Sequence, residues 1–219
     1  MPTTRRQIVI GTTMVGATAL GLGGALSIML KRSASAEPMS AAELMEPGPL
    51  GDEIMGSENA PVTIIEYASM TCPHCANFAV NVLPKIKERY IDTGKVRFIF
   101  REFPFDALAA GAFMLARCTD KNKYFPLIEA LFQQQSKWVV QKPMEPLLAI
   151  AKQAGFTEES FKECLANQKL LDGIEWVRNR ATEKFKVDAT PTFFINGEMH
   201  RGEMTLDEMD KTIQSYLKA

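Results

Sequence analysis

From Pro61 onward the chain changes texture. Val62-Thr63-Ile64-Ile65-Glu66-Tyr67 is β-branched and apolar at nearly every position, which predicts a strand buried on both faces, with Glu66 as its anomaly. After Thr71-Cys72-Pro73, the residues Cys75, Phe78, Ala79, Val82, Ile86 and Tyr90 recur at spacings of three and four, the mark of one helix face. Pro73 fits the first turn of that helix, where its missing N–H costs nothing, and Pro84 predicts a kink midway. Gly94 ends the unit, and Lys95 to Arg101 alternate as a second strand. Residues 106–186 hold no comparable strand. Their helix signals centre on 107–118, 125–134 and 146–154, with a further helix opening at Thr157, a good N-cap followed by Glu158 and Glu159, that puts Phe161, Cys164 and Leu165 on one face. β-structure returns at Thr192-Phe193-Phe194-Ile195, turns at Asn196-Gly197 and runs back through Glu198 to Arg201. Thr205 to Glu208 form a capping box for a last helix striped by Leu206, Met209, Ile213 and Leu217. The order predicts an α/β domain over 61–105 and 187–219, split by an inserted helical domain over 106–186.

Ahead of this unit the pattern is different. Residues 37–60, rich in Pro, Gly, Ala, Ser and acidic residues and broken by Glu46-Pro47-Gly48-Pro49, predict a linker or a loosely docked N-terminal arm. Residues 1–36 predict a signal peptide: Arg5-Arg6, an uncharged run from Ile8 to Leu30, then Ala34-Ser35-Ala36 as a cleavage site. Thr4-Arg5-Arg6-Gln7-Ile8-Val9 is similar to a twin-arginine signal, general secretion is the other route, and the run also suits an uncleaved membrane anchor, since about 20 residues suffice to span a bilayer. Each reading delivers the rest of the chain to an oxidising compartment outside the cytoplasm.

Charge narrows the functions. The chain carries 25 basic and 26 acidic residues. Without Arg5, Arg6, Lys31 and Arg32 of the first segment, 21 basic residues face 26 acidic ones, and no basic footprint for nucleic acid remains.

The chemistry then rests on four cysteines. Cys72 and Cys75 stand at i and i+3 where a strand meets a helix, so both side chains lie on the first helical turn and the helix N-terminus favours a thiolate at Cys72. His74, if cationic, adds to this. A zinc-held module is the bland alternative, yet a zinc site wants further ligands and the chain offers only His74, His200 and two distant cysteines. Those two, Cys118 and Cys164, are either a structural disulfide or two core thiols, and an oxidising compartment favours the bond. Glu66 is either an edge residue facing solvent or a buried acid able to exchange protons with Cys75. Thr190-Pro191-Thr192 places a proline at a strand start, an edge or a cis bond.

Taken together, Ile64-Ile65-Glu66-Tyr67-Ala68-Ser69, Cys72-Pro73-His74-Cys75, the helical insertion and Ala189-Thr190-Pro191-Thr192-Phe193 resemble, in order, the DsbA family of disulfide-forming thioredoxin-like proteins, especially its alphaproteobacterial forms. The resemblance implies a thioredoxin fold with an inserted helical domain and a periplasmic protein disulfide oxidoreductase without cofactor or metal. It implies Cys72 as nucleophile, Cys75 as its partner across Pro73 and His74, and His74 as thiolate stabiliser. It further implies Glu66 as proton relay, Pro191 as a cis-proline facing the cysteines, and a second disulfide between Cys118 and Cys164. The implied partners are reduced exported proteins and a quinone-coupled membrane oxidase similar to DsbB. Thr190 departs from the Val of enteric oxidases and matches isomerases of the related class, which keeps isomerase or reductase chemistry open. A chaperone-like binding module is the rival outside enzymes.

Overall fold

The computed structural model describes residues 41–218. The expected signal peptide lies outside the described residues. Among the described residues no helix is long and apolar enough to cross a membrane.

The described chain opens with a short helix, α1 (Ala41–Met45), and strand β1 (Glu53–Met55). Strand β2 (Val62–Ala68) follows, then a composite helix: α2 (Pro73–Asn77), a π-helical turn over Phe78–Val82, α3 (Leu83–Ile86) and a second π-helical turn over Lys87–Ile91. The first widened turn ends just before Leu83-Pro84. A proline there has no N–H to give and crowds the carbonyl four residues back, so the expected kink takes the form of a wider turn. Strand β3 (Val96–Glu102) closes the first half.

The helical block comprises α4 (Ala107–Arg117), α5 (Tyr124–Gln133), α6 (Gln135–Trp138), α7 (Met144–Gln153), α8 (Glu158–Leu165) and α9 (Gln168–Glu183). Thr157 caps α8 in a capping box with Ser160, and Asn167 caps α9, so the segment that opens at Thr157 is two helices with a break between them. A disulfide joins Cys118, the C-cap of α4, to Cys164 of α8, with their Cα atoms 6.2 Å apart. Strands β4 (Thr192–Ile195) and β5 (Glu198–Arg201) form a hairpin, and α10 (Leu206–Leu217) ends the described chain. The hairpin turn needs two left-handed residues, and Asn196 (φ 47°) and Gly197 (φ 90°) supply them.

The five strands lie in the order β1-β3-β2-β4-β5, with only β2 and β3 parallel. Successive side chains of β2 point to opposite faces. Val62, Ile64 and Ala68 join a core with Cys75, Phe78, α4, α5 and α10, whereas Ile65 and Tyr67 join a second core with Leu44, Ile99, Val177 and Phe194. Phe100 of β3 packs against Phe113, Tyr124 and Phe125, so the sheet and the helical block share the first core. The fold is a mixed α/β sheet carrying an insertion of helices, in the thioredoxin manner.

Residues 41–55, part of the segment read as a linker or a loosely docked N-terminal arm, pack against the sheet. Leu44 is only 2% exposed, and β1 pairs with β3 antiparallel from Glu53↔Phe100 to Met55↔Phe98. The reason lies in two buried arginines. Arg101 donates to Leu44 O (2.8 Å), Glu46 O (3.2 Å), the Tyr67 hydroxyl (2.8 Å) and both oxygens of Asp52 (2.9 Å each). Arg117 donates to Leu50 O (3.2 Å), Gly51 O (3.1 Å), Glu53 (2.8 Å) and both oxygens of Glu102 (2.5 and 3.1 Å). A segment rich in Pro and Gly reads as a connector, yet its carbonyls are what these guanidinium groups hold.

Candidate active site

Strand β2 delivers the chain to the site. Beyond Ala68, the Ser69 carbonyl accepts from Cys72 N (3.1 Å), and Cys72 then serves as the extended N-cap of α2 (φ −80°, ψ 121°). With Pro73 inside the first turn, the N–H groups of His74 and Cys75 are left to point at the Cys72 sulfur. Cys72 is 9% exposed and Cys75 is fully buried.

The two thiols are driven apart in acidity. A hydrogen bond from Cys75 does most to bring the Cys72 thiol down to about 5, helped by Thr190 and the N–H groups of Cys75 and His74, against the opposing effect of burial. Cys75 moves the other way, well above an ordinary thiol. Burial is the main cause, joined by its hydrogen bond to Cys72 and the negative charges of Glu66 and Cys72.

Glu66 sits in the middle of the sheet, opposite Phe100 on one side and Phe193 on the other, and is 1% exposed. Its Oε1 has no hydrogen-bond partner. Burial, and then the charge of Cys72, raises its carboxyl well above the usual range, so it is held as an acid. The edge position weighed from the sequence is therefore excluded.

Across the site the Thr190–Pro191 bond is cis. The Thr190 backbone carbonyl accepts from Cys72 Sγ (3.3 Å), and the buried Thr190 hydroxyl has no hydrogen-bond partner. His74 lies on the open side of the turn, with its Nδ1 2.8 Å from Glu203 Oε2, a contact that raises the imidazole's proton affinity. Cys72, Pro73, His74, Cys75, Glu66, Thr190 and Pro191 thus converge on one mouth of the sheet.

Three residues that the sequence reading passed over also belong here. Gln135 of α6 donates to Met70 O (2.9 Å) and Cys72 O (3.0 Å), fastening the helical block to the cysteine turn. Asp106 caps α4 through Ala109 N (2.7 Å) and accepts from Thr71 Oγ1 (2.7 Å), one residue before Cys72. Glu203 reaches in from the loop after β5. Asp106 carried a signal, an acid directly before an Ala-rich helical segment. Glu203 and Gln135 carried none, because their relevance depends on how distant elements pack. Among the described residues no group of three or more His, Cys, Asp or Glu side chains is placed to hold a metal ion.

Comparison with known proteins agrees with this geometry. The family model described as Thioredoxin matches residues 50–215. The crystal structure of alpha-DsbA1 from Wolbachia pipientis superposes with a TM-score of 0.75 at 35% identity, covering 82% of this chain and 97% of that one. Oxidised BdbD of Bacillus subtilis superposes with a TM-score of 0.69 at 26% identity, covering 80% of this chain and 97% of that one. A Rickettsia bellii protein with a provisional protein-disulfide oxidoreductase name is 35% identical over 148 residues, 67% of this chain and 57% of its own length. The chain therefore spans about three fifths of the Rickettsia relatives it matches.

Proposed function

The chain belongs to the thioredoxin-like family that includes DsbA, and on that premise we propose that it introduces disulfide bonds into exported proteins by exchange through Cys72 and Cys75. One observation carries the proposal: the unequal pair, with a barely accessible Cys72 brought down to about 5 and a sealed Cys75 pushed up. A cysteine that ionises readily is a good leaving group and stabilises the reduced enzyme, which makes the corresponding disulfide oxidising.

In the oxidised enzyme, a substrate thiolate attacks Cys72 Sγ. The Cys72–Cys75 bond breaks, its electron pair goes to Cys75, and Glu66 is the acid within the site that supplies a proton to that sulfur. A second substrate thiolate then attacks the substrate sulfur of the mixed disulfide, and Cys72 departs as the thiolate that its surroundings favour. The substrate has lost two electrons and the enzyme disulfide has gained them. A DsbB-like, quinone-coupled membrane oxidase is the partner that would return the enzyme to its oxidised state. The targeting signal read in residues 1–36 supports a periplasmic setting for this cycle.

Refolding of a reduced, multi-disulfide substrate with the oxidised protein tests the reading. Stoichiometric oxidation is expected, lost in Cys72→Ser, while Cys75→Ser, its Cys72 first charged as a mixed disulfide with glutathione, should release glutathione and trap the Cys72–substrate mixed disulfide. Oxidation that persists in Cys72→Ser refutes the assignment. Repair of scrambled disulfides without net oxidation would replace it with isomerase chemistry, for which the Thr190 hydroxyl beside Cys72 is the structural reason.

A further inference from the structure

We propose that Glu203 is a positioning residue: acting through His74, it sets how strongly the reduced Cys72–Cys75 pair is favoured at neutral and mildly alkaline pH. The inference rests on Cys72 being the exchanging thiol.

The backbone around Glu203 is fixed on both sides. Gly202, in a left-handed conformation (φ 86°), donates its N–H to Pro191 O (2.9 Å), so the loop hangs from the same proline segment that faces Cys72. Met204 is buried on the other side, and Thr205 begins α10 in a capping box with Glu208. From this anchored position the carboxylate spans one turn of the active-site helix. Its Oε2 meets His74 Nδ1 at 2.8 Å and its Oε1 accepts from Asn77 Nδ2, while Asn77 Oδ1 accepts from Asn81 Nδ2 (2.6 Å).

His74 is otherwise poorly restrained. Its side chain is 66% exposed, so without Glu203 it would shed its proton near the ordinary histidine value of about 6.5. Pairing with Glu203 holds the ring in place and raises its proton affinity, and the Cys72 charge acts on the ring in the same sense. Glu198, His200, Arg201, Glu208 and Lys211 line the same surface cavity as Glu203; of these, Arg201 pairs with Asp188 (3.3 Å), Glu208 caps Thr205 and Glu198 accepts from the Tyr216 hydroxyl (2.9 Å). Cys72 itself is governed chiefly by Cys75, burial, Thr190 and two backbone N–H groups. The carboxylate therefore reaches the sulfur by way of the imidazole.

The consequence is a signature in pH. Near pH 5.5, His74 is cationic with or without Glu203, so Glu203→Gln should leave the equilibrium unchanged. Near pH 8 the imidazole paired with Glu203 keeps more of its positive charge beside the thiolate than the unpaired one does, and the variant should favour its disulfide about threefold more, the scale of a solvent-exposed charge pair.

The experiment is the equilibrium of full-length protein with glutathione at pH 5.5 and pH 8, together with NMR titration of the His74 ring. Glu203→Gln should lower the ring's titration midpoint and shift only the pH 8 equilibrium. Glu203→Asp, charged but too short to span the turn, should behave like Glu203→Gln, and in a His74→Ala background both should have no effect. An equal shift at both pH values, or one that survives His74→Ala, overturns the inference and assigns Glu203 a structural or direct electrostatic role. Failure of the functional reading looks different: wild-type protein would then not exchange with glutathione at Cys72 at all.

Discussion

Arg101 and Arg117 at the β1–β3 edge have side chains only 4% and 7% exposed, and Glu66 and Cys75 at the cysteine mouth are buried, but the two places treat sheltered charge in opposite ways. At the edge, each guanidinium makes five hydrogen bonds, and its partners include Asp52, Glu53 and Glu102. At the mouth, Glu66 has an oxygen with no partner, and Cys75 is surrounded by influences that keep its proton on. Complete pairing in a low-dielectric interior locks groups into one state, so the edge is architecture. Incomplete pairing leaves a proton free to move when the neighbouring sulfur changes its charge. Perturbed acidity alone does not separate the two, since Tyr124 at the edge is also strongly displaced. What separates them is the neighbour acted on: the charge of Glu66 acts on the Cys75 thiol, whereas Tyr124 donates to Glu102 (2.9 Å) inside the paired cluster.

The harshest way to break the comparison is Arg117→Met. It strands Glu102 and Glu53 without their cation, and breaking a buried pair from one side costs about 3–5 kcal/mol. Urea unfolding should show a loss of that size, and a loss below about 1 kcal/mol would mean that the edge is not held by charge.

Next in size is the effect of the cysteine pair on stability. Cys72 is depressed in the folded state, so its contribution to the reduced protein is complete above the unfolded thiol value of about 8.5 and disappears as pH falls through about 5. Between pH 5 and pH 7 the reduced protein should therefore gain about 2–3 kcal/mol in stability relative to the oxidised one. Paired unfolding curves, with the Cys118–Cys164 bond verified intact by mass, would reveal it. A pH-independent gap would contradict the thiolate.

The mildest test applies one substitution to both regions. Burial raises the Glu66 carboxyl in the folded state, so its ionisation opposes folding increasingly as pH climbs above the unfolded value of about 4.3, and Glu66→Gln should raise stability by about 1–2 kcal/mol at neutral pH while slowing disulfide exchange. Glu102→Gln removes the charge that Arg117 uses and should lower stability instead. Like-signed changes in thermal unfolding at the two positions would erase the distinction.

Most of the mouth could be read from the chain because its signals are local. The strand before Cys72, the three-residue spacing to Cys75, the acid out of place at Glu66 and the proline before Thr192 each announce themselves within a few residues. The edge could not be read in this way. Arg101 ends an ordinary alternating strand and Arg117 an ordinary helix, and each looks like a solvated charge until tertiary packing seals it. Residues 41–55 were hard to place for the complementary reason, since Pro and Gly report what a backbone permits and say nothing about who binds its carbonyls. Glu203 and Gln135 were missed because their partners lie 129 and 63 residues away.

The clasp on residues 44–51 also has a bearing on mutational tolerance. Arg101 and Arg117 grip main-chain oxygens of Leu44, Glu46, Leu50 and Gly51, and every amino acid offers the same oxygen. The information that docks this arm is thus written into two distant positions of the sheet and helix. A scan of substitutions should find tolerance among the gripped positions mainly at Glu46, because Leu44 is buried, Leu50 packs against the core and Gly51 holds a left-handed φ of 74°, while the two arginines tolerate almost nothing.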